Sequence, residues 1–115
     1  MNTFKYAISG IKKAFESELN IRLHVLASVL VLIAGWYFAI SNYEWMLIVI
    51  CIGMVISAEM INTAVEYLVD LVSPGHNELA GKIKDIAAGA VLIAAVCALI
   101  TGLIIFLPKI SAILD

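Results

Sequence analysis

The sequence predicts an all-α integral membrane protein, with three transmembrane helices behind an N-terminal amphipathic surface helix, in one domain over residues 1–115. Three observations carry this. Hydrophobic residues make up 63% of the chain and charged residues 14%, where an ordinary soluble domain has about 45–50% and 25%. The mean hydropathy is +1.07, more apolar surface than a small water-soluble globule can hide. The charges are also clustered, which leaves three long stretches nearly free of them. This balance excludes a soluble single-domain enzyme. It also excludes a disordered chain, which needs low hydrophobicity and high net charge. A net charge of −2 offers no basic field for nucleic acid.

Residues 1–22 form the first element. Phe4, Ile8, Ile11, Phe15 and Leu19 recur at helical spacing, while Lys5, Lys12, Lys13 and Glu16 fall mostly on the other side. Such a helix suits the membrane interface; the alternative is a plain continuation of the first span. The spans follow at 23–40, 45–69 and 86–107. Each is long enough to cross a bilayer, which takes roughly 17–25 apolar residues. Three strands could not close a barrel, so helix is the open option. Pro74-Gly75 marks the turn after the second span. No small-residue cleavage site follows the first apolar run, against a cleaved leader. Cys51 and Cys97 lie inside apolar runs and read as small hydrophobes.

Orientation follows from lysine and arginine. Lys5, Lys12, Lys13 and Arg22 precede the first span, the loop Ser41–Glu44 has no basic residue, and Lys82 and Lys84 lie between the second and third spans. The positive-inside rule then puts the N-terminus and the 70–84 loop in the cytoplasm and the C-terminus outside. Lys109, after the third span, runs against that trend. Trp36, Tyr37, Tyr43 and Trp45 surround the outer loop as interfacial aromatics do.

Carboxylates in the second span need a reason. At about 100° per residue, Glu66 returns to within about 20° of Glu59, Asp70 falls about 20° on the other flank, and Asn62 lies about 60° away. The second span therefore carries one polar stripe. An ionised side chain at the bilayer centre costs roughly 2.5–3.5 kcal/mol on insertion scales, so these acids must face protein, water or cations. Glu59 lies about 21 Å from Trp45 along the helix and Glu66 about 31 Å. Glu59 is thus buried, while Glu66 and Asp70 reach the cytoplasmic interface. The bland readings are an interhelical hydrogen bond for Glu59 and a solvated helix end for Asp70.

Two further clusters share that depth. Glu18, Asn20, Arg22 and His24 form one, with Glu18–Arg22 open to a plain i,i+4 ion pair and His24 to an interfacial anchor. Glu78, Lys82, Lys84 and Asp85 form the other, with Glu78–Lys82 again at i,i+4. Acids from separate helices plus a lysine make a plausible site for Mg²⁺ and phosphates. The chain has no P-loop, nucleophile elbow or zinc-protease motif.

The run Glu59-Met60-Ile61-Asn62-Thr63-Ala64-Val65-Glu66, then Asp70, then Lys84-Asp85-Ile86-Ala87-Ala88-Gly89-Ala90-Val91 resembles the prokaryotic diacylglycerol kinase family, which includes the undecaprenol kinases. The likeness runs from about Tyr6 to about Leu107. It implies a homotrimer in the bacterial inner membrane that transfers the γ-phosphate of ATP to a lipid alcohol at the cytoplasmic face. It implies Glu59 as general base, with Asn62 helping to position that base or the phosphate. Glu18 and Glu66 would hold Mg²⁺ on ATP, Lys84 and Asp85 would contact the nucleotide, and Tyr6 would lie near its purine or ribose. Arg22 and Asp70 would support the site. Gly75, His76 and Asn77 fall at the family's nucleotide loop, with different side chains, so they are expected to contact ATP through the backbone. Ala88 stands where enterobacterial diacylglycerol kinases have serine, and Asn20, Arg22 and His24 resemble the undecaprenol-kinase branch. The acceptor is thus diacylglycerol or undecaprenol. Other classes compatible with buried acids are a small proton-coupled transporter and a non-catalytic membrane subunit. The outer half of the second span, Met46 to Val55, has no ionisable group except Cys51, which argues against a proton path.

Overall fold

The structure is a computed structural model, and it describes residues 3–115. Four helices follow in order: α1 Thr3–Ser17, α2 Leu19–Tyr37, α3 Asn42–Val72 and α4 Glu78–Leu114. The last three are long and apolar enough to cross a membrane. Residues 1 and 2 of the expected surface helix lie outside the described residues.

The surface helix ends at Ser17, because Glu18 takes an extended conformation (φ −122°, ψ 117°). Helix ends leave carbonyls without an internal partner. Here the Arg22 guanidinium reaches back and donates from Nη1 to the Phe15 and Glu16 carbonyls at 3.0 and 2.9 Å. Arg22 therefore caps α1 rather than pairing with Glu18, as the i,i+4 spacing suggested. Phe4 and Ile11 of α1 stay 71% and 56% exposed, while Ala14 is buried. An apolar face left uncovered by its own chain is what an interfacial helix presents to lipid.

At the opposite end, α2 closes with a Schellman motif. Ala39 takes the left-handed conformation (φ 51°), its N–H bonds to the Trp36 carbonyl, and the Ile40 N–H bonds to that of Gly35. A Cβ at Gly35 would lie 2.8 Å from the Trp45 ring and 3.0 Å from Ile40 Cδ1, so a side chain there would have to push these groups aside. α3 then starts with a capping box: Ser41 Oγ accepts from the Glu44 N–H, and Glu44 Oε1 accepts from the Ser41 N–H. Ile40, Ile48 and Ile105 form the buried core, with Phe38, Trp45 and Phe106 against it. Lys109 of α4 donates to Glu44 Oε2 at 2.8 Å. The basic residue that runs against the orientation trend is thus matched by a carboxylate.

α4 starts at Glu78, ahead of the apolar run at 86, because Asn77 Oδ1 accepts from the Leu79 and Ala80 N–H groups and caps it. The two long helices, 31 and 37 residues, span about 46 and 55 Å at about 1.5 Å per residue. A hydrocarbon core of about 30 Å cannot contain them. Their excess lets the helix ends that carry Asp70 and Lys84 project beyond the apolar layer.

Candidate active site

α3 supplies the centre of the site. Its polar stripe appears as the helical spacing predicts, and neighbouring helices meet it at two levels. Glu59 is 5% exposed, which makes it the most buried ionisable residue among those described. Its carboxylate meets His24 of α2, with Nε2 to Oε1 at 3.1 Å. One turn on, Thr63 is also buried and donates its hydroxyl to the Glu59 carbonyl at 3.0 Å. That contact satisfies the hydroxyl locally and takes nothing from the carboxylate.

The next level holds Asn62 and Glu66, both half-buried. Asn62 Nδ2 donates to Glu66 Oε1 at 3.1 Å. Its Oδ1 is buried and has no hydrogen-bond partner among the described residues. Buried amide oxygens are seldom left so, because an unmet acceptor loses its hydration for nothing. Beyond the apolar layer, Asp70 accepts from Lys84 Nζ of α4 at 2.6 Å, and this pair links α3 to α4. Lys84 thus turns to Asp70, while its neighbour Asp85 stays exposed. Glu78 and Lys82 form no ion pair among the described residues.

The remaining expected residues lie around this face. Glu18 is half-buried at the α1–α2 break, and Tyr6 is 65% exposed on α1. Gly75, His76 and Asn77 line a hollow of about 290 Å³ that Asp70 and Lys84 also border. Asn77 spends its side-chain oxygen on the α4 cap, while His76 is exposed at the hollow's rim. A larger groove of about 680 Å³ opens between α1 and α3, lined by Gly10, Lys13, Ala14, Met60, Thr63 and Tyr67 among others. On α3 its lining is Met60, Thr63, Ala64 and Tyr67, beside the polar stripe rather than on it.

Among the described residues, no three His, Cys, Asp or Glu side chains converge as a closed metal cage. Magnesium does not ask for one. It keeps one or two carboxylates and takes its other ligands from phosphates and water. The Glu66 carboxylate and the orphaned Asn62 Oδ1 are hard oxygen donors on one face, and that donor set fits magnesium.

His24 is the residue that sequence reasoning placed too modestly, as an interfacial anchor. A signal existed. His24 lies 14 residues before Phe38 and Glu59 lies 14 after Trp45, so an antiparallel α2–α3 pair brings them to one depth.

Comparison with known proteins places the chain among its relatives. Residues 5–106 match the family model described as prokaryotic diacylglycerol kinase. An undecaprenol kinase of Bacillus subtilis (strain 168) is 45% identical over 107 residues, covering 93% of this chain and 87% of the relative. A diacylglycerol kinase of Synechocystis is 35% identical over 97% of this chain and 65% of its own length. A diacylglycerol kinase of Escherichia coli (strain K12) is 29% identical over 87% of this chain and 82% of its own length. With a buried glutamate on a spanning helix, oxygen donors beside it and a match over nearly its whole length, the chain belongs to the prokaryotic diacylglycerol kinase family.

Proposed function

We propose that the chain is a lipid kinase that transfers the γ-phosphate of ATP to the hydroxyl of a membrane lipid, at the cytoplasmic face of the bacterial inner membrane. The observation that carries this reading is Glu59: a carboxylate buried in a spanning helix, one turn from the unpartnered Asn62 oxygen. The lipid hydroxyl gives its proton to Glu59 while its oxygen bonds to the γ-phosphorus. The bond from that phosphorus to the β-phosphate bridging oxygen breaks, and ADP leaves. Little covalent work falls to the protein, so placement and charge neutralisation dominate.

Asn62 fixes the register of Glu66, and its free oxygen would serve a magnesium ion held there as a further donor. Glu18 and Glu66 would hold Mg²⁺, which would neutralise phosphate charge. Lys84, kept in place by Asp70, and Asp85 contact the nucleotide over the Gly75–Asn77 hollow, with Tyr6 at its outer side. The groove between α1 and α3 suits a lipid acceptor, because apolar side chains such as Ala14, Met60, Ala64 and Tyr67 line it. The higher identity to a relative named undecaprenol kinase favours a polyprenol acceptor over diacylglycerol.

Assembly belongs to the same proposal. A Cβ built at Gly81, Gly89 or Gly102 of α4 meets nothing within 4 Å inside the chain. Small residues with no use inside the subunit fit close packing of helices from other copies, here in a homotrimer. Phosphate transfer from labelled ATP to undecaprenol and to diacylglycerol in mixed micelles tests the reading. Wild type labels one or both. Glu59→Gln lowers the rate by about 10²–10⁴, the range for a lost general base, while the oligomer stays intact. An unlabelled lipid pool with wild type, or full activity in Glu59→Gln, overturns it.

A further inference from the structure

We propose that His24 is a positioning residue for this reaction: its imidazole holds the Glu59 carboxylate in the orientation from which it accepts the lipid hydroxyl's proton. The inference rests on the reading of Glu59 as general base.

The two groups come from different helices and meet at 3.1 Å, with side chains 30% and 7% exposed. An ionised carboxylate only accepts, so the facing Nε2 carries the proton and donates it to Oε1. Glutamate has three rotatable bonds. Near the edge of the apolar layer, a free carboxylate would swing toward water, as long charged side chains do. Engaging Oε1 stops that swing and leaves the lone pairs of Oε2 for the substrate.

Ser28 Oγ donates to the backbone carbonyl of His24 at 2.7 Å, a contact within α2 that takes nothing from the imidazole. On its other flank His24 borders an apolar gap of about 120 Å³ among α2, α3 and α4, lined by residues such as Val31, Ile52, Val55 and Ala98. That side offers the ring little polar competition, so its strongest polar contact is the carboxylate.

A matched pair of variants separates positioning from packing. His24→Gln keeps an N–H donor at similar reach; His24→Met has nearly the same size and no donor. The readouts are kcat, KM for MgATP, thermal stability and oligomeric state in detergent. His24→Met is expected to lower kcat by about 10- to 100-fold, the loss typical of a misplaced catalytic group, with KM for MgATP and the oligomer unchanged. His24→Gln is expected to recover most of that loss. Adding His24→Met to Glu59→Gln is expected to lower the residual rate no further, because the histidine acts through the glutamate.

Wild-type kcat in His24→Met, beside an inactive Glu59→Gln, overturns the role of His24 and leaves the base in place. Equal losses in the Gln and Met variants, tracking lost stability, reduce His24 to a packing residue and also overturn it. Full activity in Glu59→Gln removes the base itself, and the role of His24 with it.

Discussion

The two ends of α3 carry the same residue type in opposite circumstances. At its start, Glu44 has both oxygens engaged: Oε1 accepts from the Ser41 N–H and Oε2 from Lys109 Nζ. Toward its other end, Glu66 receives a hydrogen bond from Asn62, and the Asn62 oxygen beside it is buried with no partner among the described residues. Where the fold meets every demand of a carboxylate, the charge serves the structure. Where acceptors stay open beside an apolar layer, a group from outside the fold must meet them, since unmet polar atoms there are expensive. Mutations should therefore separate along the helix, with losses of turnover at one end and changes of stability at the other.

The largest effect after Glu59 should come from Glu66→Gln. Even partners one step removed from a metal typically set its affinity by about 10- to 100-fold, and a direct ligand should do at least as much. Initial rates at fixed ATP and rising Mg²⁺ should show the half-saturating Mg²⁺ raised by about 10-fold or more, with the melting temperature unmoved. An unchanged Mg²⁺ requirement would break the comparison at its functional end.

The functional end was also the more legible in the sequence. Carboxylates in an apolar run are conspicuous, and Glu59, Asn62, Glu66 and Asp70 fall on one face by helical arithmetic alone. What stayed hidden was tertiary. No glycine or proline marks the break at Glu18, which depends on Arg22 reaching back to α1. Asn77 reads equally well as a loop residue or a helix cap until α4 is seen to begin beside it. Lys109 looked like an exception to the charge rule because its partner lies 65 residues away. His24 needed the depth of one helix to be counted against another.

The structural end is tested by Gly35→Ala. Alanine improves helix propensity by roughly 0.5–1 kcal/mol. The new Cβ, however, would sit 2.8 Å from the Trp45 ring and 3.0 Å from Ile40, and such overpacking typically costs about 1–3 kcal/mol. The second effect is larger, so a net loss of about 1 kcal/mol is expected, seen as a lower melting temperature in detergent with turnover per folded enzyme unchanged. An unchanged melting temperature would mean that the indole swings aside freely and that this end is less tightly built than it looks.

The smallest effect has the opposite sign. Ala39 holds a left-handed conformation at φ 51°, which costs an L-residue with a Cβ roughly 1–2 kcal/mol. Glycine would remove that strain and keep the backbone bonds to the Trp36 and Gly35 carbonyls. It would also loosen the unfolded chain, at a cost of about 0.4–1 kcal/mol. The difference leaves Ala39→Gly stabilised by about 0.5 kcal/mol, measurable as a small rise in melting temperature. Phosphate transfer should not change, because the turn lies at the far end of the bundle from Glu59. A fall in stability would show that the turn draws more from the alanine methyl than its backbone conformation costs; a change in turnover would show that the two ends of α3 are coupled.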